Sequence, residues 1–164
     1  MANFLQNSRF SFIILTSIAS AYFSNAYALD SDNSTIKNAI SIKDAWVRPS
    51  HPGQDVGAAY MTLTSMQDVA LVRVESDVSD SIEIHSMTMQ NGVMKMRMLD
   101  NLPLVAGKPY KLEPGGFHFM LFDLKKALTA GESVNFVLYF KAKNKVEFKQ
   151  NIKALVRTET EHQH

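Results

Sequence analysis

The chain predicts an all-β fold, a single-domain antiparallel β-sandwich, on three observations. Short runs rich in β-branched and aromatic residues recur from Ile40 to Val156. Turn residues punctuate them at regular intervals, and no long helical period intervenes. The 164 residues include no cysteine, so packing and strand pairing must hold the fold without disulfides.

The runs follow in order. Ile40–Arg48 alternates imperfectly and stops at Pro49, a first strand. After the loop Ser50–Gln54, Gly57–Thr64 gives a second strand, Ala70–Ser76 a third and Ser81–Met89 a fourth. Asn91-Gly92 is a strong hairpin signal, because both central positions of a type I′ turn need positive φ. Val93–Met98 returns from it in clean alternation. Leu102–Gly107 reads as a connection, and Tyr110–Leu112 leads into the turn Glu113-Pro114-Gly115-Gly116. Phe117–Asp123 is a strand, Asp123–Gly131 is expected to hold a short helical turn, and Ser133–Phe140 with Val146–Val156 closes the domain as a strand pair.

The ends read as address and tail. Residues 1–28 have the form of a secretory signal peptide: a polar start with Arg9, a short apolar run from Phe10, and Ala26-Tyr27-Ala28 as a small-x-small cleavage site. That run is shorter than the ~20 apolar residues a membrane span needs, and no later stretch approaches that length. Residues 29–39 are a polar lead-in, 40–156 the sandwich domain, and 157–164 a polar tail expected to fray. Loss of Arg9 with the leader leaves 16 basic and 16 acidic residues, which argues against nucleic acid or an anionic membrane as partner. A location outside the cytoplasm, in the periplasm, is expected.

The chemistry concentrates between His85 and Met120. Five of nine methionines fall within Met87–Met98, and two clusters, His85-Ser-Met87-Thr-Met89 and His118-Phe-Met120, flank that stretch. Imidazole with thioether, and no thiolate, is a ligand set that suits Cu(I) and excludes a blue-copper centre. A two-residue turn at Asn91-Gly92 sets Met89 opposite Met94, Met87 opposite Met96 and His85 opposite Met98, all on one face. Opposed Cβ atoms then lie roughly 5 Å apart and diagonal ones roughly 7 Å, so a metal on His85 reaches Met96 diagonally. His118 and Met120, at i and i+2, share a face while Phe117, Phe119 and Leu121 point into the core. Against this stands the plainer reading of a methionine stripe as core filler and of single histidines as hydrogen-bonded structural residues. The repeated pairing of His with Met on one strand face favours the metal.

The spacing is His85, ten residues, Met96, twenty-one residues, His118, one residue, Met120. It resembles in full the H(M)-x10-M-x21-H-x-M signature of the PCuAC family of periplasmic copper chaperones. Flanking text agrees at Asp44-Ala-Trp-Val-Arg-Pro, Ala58-Ala-Tyr-Met, Gly92-Val-Met and Pro114-Gly-Gly-Phe-His. The resemblance implies a cupredoxin-like, Greek-key sandwich that holds one Cu(I) at its surface through His85, Met96, His118 and Met120. Met87 and Met98 are auxiliary candidates. Copper would pass by ligand exchange, with no enzymatic bond change, toward a subunit of cytochrome c oxidase or a Sco-type thiol protein. A monomer is expected, with a copper-bridged dimer as the alternative. Some family members bind Cu(II) through His/Met-rich tails, of which His162 and His164 make a sparse version, a secondary candidate. His51 reads as a surface-loop residue, and Trp46, Tyr60 and Phe117 as core packing.

Three other readings compete. A zinc hydrolase would need harder ligands and an open water position, and neither cluster offers an acidic ligand at motif spacing. An interaction module would use the methionine face as an apolar patch. A periplasmic copper buffer would have the same site and no delivery partner.

Overall fold

A computed structural model describes residues 39–159. The expected signal peptide and most of the lead-in and tail, with His162 and His164, lie outside the described residues. Ten strands form: β1 (Ile40–Val47), β2 (Gly57–Ser65), β3 (Val69–Ser76), β4 (Ser79–Gln90), β5 (Val93–Leu99), β6 (Leu102–Leu104), β7 (Pro109–Leu112), β8 (Phe117–Leu124), β9 (Ser133–Ala142) and β10 (Glu147–Val156). They hydrogen-bond in the order β5-β4-β8-β7-β2-β1-β10-β9-β3-β6, with β8 also on β2. One apolar core draws on the whole ladder, from Ile84, Phe119 and Leu121 near one end to Leu71, Phe136 and Leu138 near the other.

The all-β expectation holds, with four differences. Pairing is antiparallel except between β1 and β10 and between β7 and β8. Leu102–Leu104, expected as connection, is a short strand on β3 whose Leu102 and Leu104 are buried. No helical turn forms between Lys125 and Gly131; the stretch is bends and turn. Arg157, assigned to the fraying tail, is buried, its N–H bonded to the Val47 carbonyl and its guanidinium over Trp46.

Two local devices shape the outer face. The first is a bulge in β1. Ile40 to Lys43 pair with Ser65 to Thr62, and the register then shifts so that Trp46 meets Tyr60, with Asp44 at φ 53°. An inserted residue reverses which side of the strand each later side chain faces. Val47 thereby enters the core and Trp46 turns outward, which is the cause of the imperfect alternation in the sequence. The second is the loop Glu113–Gly116. β7 and β8 lie end to end along β2, and the loop between them leaves and rejoins that line through Gly115 at φ 81°. Only glycine adopts such a conformation without strain.

At the ladder's edge, β5 pairs with β4 alone. The pairs β4–β8 end at Ser86 with Phe117, so Met87–Gln90 and Val93–Met96 run on as a two-stranded ribbon. Phe119, fully buried between the two ligand-candidate positions of β8, ties this end to the core. Phe119→Ala should lower the unfolding free energy by about 3–5 kcal/mol in urea titrations.

Candidate metal centre

The hairpin forms in the expected register. His85 opposes Met98, Met87 opposes Met96 and Met89 opposes Met94, with Asn91 at φ 51° and Gly92 at φ 75° in the turn. Across the next ladder His85 faces His118 directly and Glu83 faces Met120. Because Ile84 pairs with Phe119 on the core side, both imidazoles stand on the outer side. Their ring centroids are 5.8 Å apart.

Three of the four motif residues, Met96, His118 and Met120, line one cleft of about 290 Å³ together with Met87, Ala58, Tyr60, Arg48, Pro114 and Gly115. His85 is the fourth and lies beside His118 without lining that cleft. Of the two auxiliary candidates, Met87 lines the cleft and Met98 does not. Exposure divides the set by chemistry. His85 and His118 are buried, at 8% and 4% exposed, whereas Met96 is 50% exposed. The expected surface site is therefore a pair of buried imidazoles with a thioether open to solvent. Side chains on the same face provide the cover: Phe122 lies 6.3 Å from His85 and Tyr60 6.4 Å from His118, centroid to centroid.

Hydrogen bonds fix the free nitrogens. His118 Nδ1 donates to the Gly116 carbonyl at 3.0 Å, which leaves the lone pair of the neutral ring on Nε2. The same carbonyl accepts the Met87 N–H at 3.1 Å, so one peptide group ties the hairpin to the His118 ring. His85 Nε2 meets Glu83 Oε2 at 2.7 Å, while its Nδ1 is buried with no hydrogen-bond partner. An unmet lone pair in such a position costs about 1–3 kcal/mol. A carboxylate or a backbone carbonyl holding one nitrogen while the other stays free is the usual support of a metal-binding imidazole. Both rings fit that pattern.

Sequence reasoning missed the supporting residues. Glu83 stands two residues before His85 and therefore on its face, a signal that was readable. Trp46 and Tyr60 are buried, as expected of packing residues, and stack at 4.4 Å on the outer face beside His118, a second role the sequence did not show. Arg48 lies 5.5 Å from the Tyr60 ring and brings a positive charge to the cleft wall. His51 is exposed in its loop, as expected, and lines a different cleft with Leu128 and Thr129. Among the described residues, no three His, Cys, Asp or Glu side chains are grouped to hold a metal ion. The motif's own donors are imidazole nitrogen and thioether sulfur, a set for a soft cation, while the Glu83 carboxylate is engaged with His85 Nε2.

The all-β sandwich of this topology is shared with a class of solved domains. Solved structures with this fold include the copper-bound PCuAC domain from PmoF2 (TM-score 0.58, 23% identity, covering 73% of this chain and 93% of that one). The solution structure of CuI-DR1885 from Deinococcus radiodurans is similar too (TM-score 0.57, 28% identity, 78% and 84% covered). The cupredoxin-like PCuAC sandwich implied by the sequence resemblance is therefore the fold. Residues 40–152 match the family described as "Putative lipoprotein LpqE-like", and the chain belongs to this LpqE-like family. A Rickettsia prowazekii protein, RP573, is 33% identical over 108 residues, 62% of this chain and 60% of its own length. The Leifsonia xyli protein "Putative lipoprotein Lxx21020" is 27% identical over 104 residues, 63% of each. The matched stretch thus spans less than two-thirds of both relatives.

Burial holds the pKa of His118 below the ordinary 6.5, an effect strengthened by the neighbouring His85 and Arg48 and opposed by the Gly116 hydrogen bond. As pH falls, the unfolded chain then takes up a proton before the folded one does. Stability from this group is full above the imidazole range and is lost as pH falls through 6.5 toward the folded value. Urea midpoints of the metal-free protein should drop between about pH 7.5 and 5.5, and His118→Gln should flatten the slope. Equal slopes in the two proteins would mean that His118 is not held neutral by the fold.

Proposed function

We propose that this protein is an exported copper chaperone that binds one Cu(I) through His85, Met96, His118 and Met120 and passes it on by ligand exchange. The observation that carries the reading is the single outer face on which two opposed imidazoles, each with a nitrogen left free, adjoin thioethers. The neutral thioethers suit Cu(I) and are poor ligands for Zn(II), and the set as a whole serves hard ions poorly. The similarity to the copper-bound PCuAC domain of PmoF2 and to CuI-DR1885 supports the same cargo.

Transfer follows from the division of exposure. A +1 ion with four neutral ligands is disfavoured deep in an apolar interior. Buried imidazoles hold one side of it, while the half-exposed Met96 leaves the other side open to an incoming donor. An acceptor sulfur or nitrogen can bond copper before Met96 leaves, so no bare ion forms. Arg48 on the cleft wall repels the cation and favours its departure, whereas Glu83 beside His85 opposes that effect. This open geometry favours delivery over storage. A signal peptide in residues 1–28 would send the chain to the periplasm, and the lipoprotein family is consistent with export. The proposed recipient is a copper-accepting protein there, a cytochrome c oxidase subunit or a Sco-type protein.

A Cu(I) competition titration tests the site. Met96→Leu and His118→Ala should each weaken binding at least as much as loss of a supporting residue around a metal, about 10–100-fold. Wild-type affinity in both variants would overturn the assignment.

A further inference from the structure

Four methionines of the hairpin share one face, and three of them, Met89, Met94 and Met96, are left largely uncovered by the fold. Met89 is 64% exposed, Met94 43% and Met96 50%, whereas Met61 in the core is 1% exposed. Met87 is half-buried on the cleft side. A methionine used as core filler is covered by its neighbours. These stand on the ribbon that runs past the last β4–β8 pair, and Thr88 and Lys95 occupy its opposite face.

The register makes two sulfur pairs of them, Met89 with Met94 and Met87 with Met96. Within each pair the Cβ atoms begin roughly 5 Å apart, and the two rows are roughly 7 Å apart along the strands. Three rotatable bonds per side chain let sulfurs from both rows converge without moving the backbone. Met87 and Met96 already line the cleft with His118 and Met120, so the outer pair adjoins that cleft through shared residues.

We infer that the ribbon carries a second, weaker Cu(I) site built only of thioethers: Met89 and Met94, completed by Met87 or Met96. It rests on the copper reading above and extends it. Thioethers alone suit a soft monovalent ion and bind Zn(II) or Cu(II) only weakly, so the ribbon favours the reduced metal. Three neutral sulfurs without an imidazole bind less strongly than the inner set. An ion at the ribbon moves inward by exchanging Met89 and Met94 for His118 and Met120 while Met87 or Met96 stays bonded. The metal keeps its charge and only metal–ligand bonds change.

The test is a titration of the full chain, labelled at the methionine ε-methyl groups, with Ag(I) as a soft ion that does not change oxidation state. The first equivalent should shift Met96 and Met120, and the second should shift Met89 and Met94. The double variant Met89→Leu, Met94→Leu should bind one equivalent with unchanged first-site affinity. His118→Ala should weaken the first site and keep the Met89 and Met94 shifts. Unmoved Met89 and Met94 methyls at two equivalents, or a double variant that still binds two, would overturn the second site. Shifts of Met89 and Met94 with no response at Met120 would keep this site and overturn the inner one. No response anywhere would overturn both.

Discussion

β4 and β8 run antiparallel from Ser79 opposite Leu124 to Ser86 opposite Phe117, and the candidate centre depends on that register. Ile84 meets Phe119 and Ile82 meets Leu121 on the inner side. The same pairing sets His85 against His118 on the outer side. A slip of one residue would send the imidazoles into the apolar core and the core side chains out to solvent. Ile84, Phe119 and Leu121 are at most 5% exposed, and burying such side chains stabilises by about 1.5–3 kcal/mol each. The apolar pairs therefore hold the two rings opposite each other, and no polar contact between the rings is needed.

The imidazoles are buried by their own sheet face rather than by the core. Trp46, Tyr60, His118 and His85 follow one another across four strands, with Arg157 over the indole at one end and Phe122 beside His85. This lateral packing keeps water off the rings, and burial disfavours the protonated form of His118. Thioethers carry no proton and need no such shelter, so they can face solvent at little electrostatic cost. Buried nitrogen with exposed sulfur is a division of labour that follows from the ligands' own chemistry.

Much of this was legible in the sequence, and the gaps have physical causes. Asn91-Gly92 fixed one turn geometry, and from it the pairing of every residue between His85 and Met98 followed by counting. The spacing of His118 and Met120 gave their common face. What sequence periodicity could not give was the pairing of β4 with β8, because those strands meet only through the tertiary fold. Trp46 is buried as expected, but its side of the strand was not readable, because a bulge at Asp44 changes the parity of β1, and a local alternation pattern has no marker for an inserted residue except its own irregularity. Leu102–Leu104 was too short to show alternation, and its strand state comes from docking on β3. The helical turn expected before Gly131 failed for the converse reason. Residues with fair helix propensity there are held by long-range bonds such as Leu128 N–H to Ser50 Oγ.

The two faces of the β4–β8 pair also carry different energetic burdens. Inner positions are filled and closed, so a change of volume there is felt throughout the domain. The outer methionines are largely exposed, and exchanging one for leucine keeps a similar volume while removing a sulfur donor. Ligand chemistry can thus change on this face without loosening the sandwich beneath it. His85 and His118 are the exception, since they are both donors and part of the packed row, and a substitution at either one alters cover as well as coordination. The thioethers tune the centre, and the imidazoles join it to the fold.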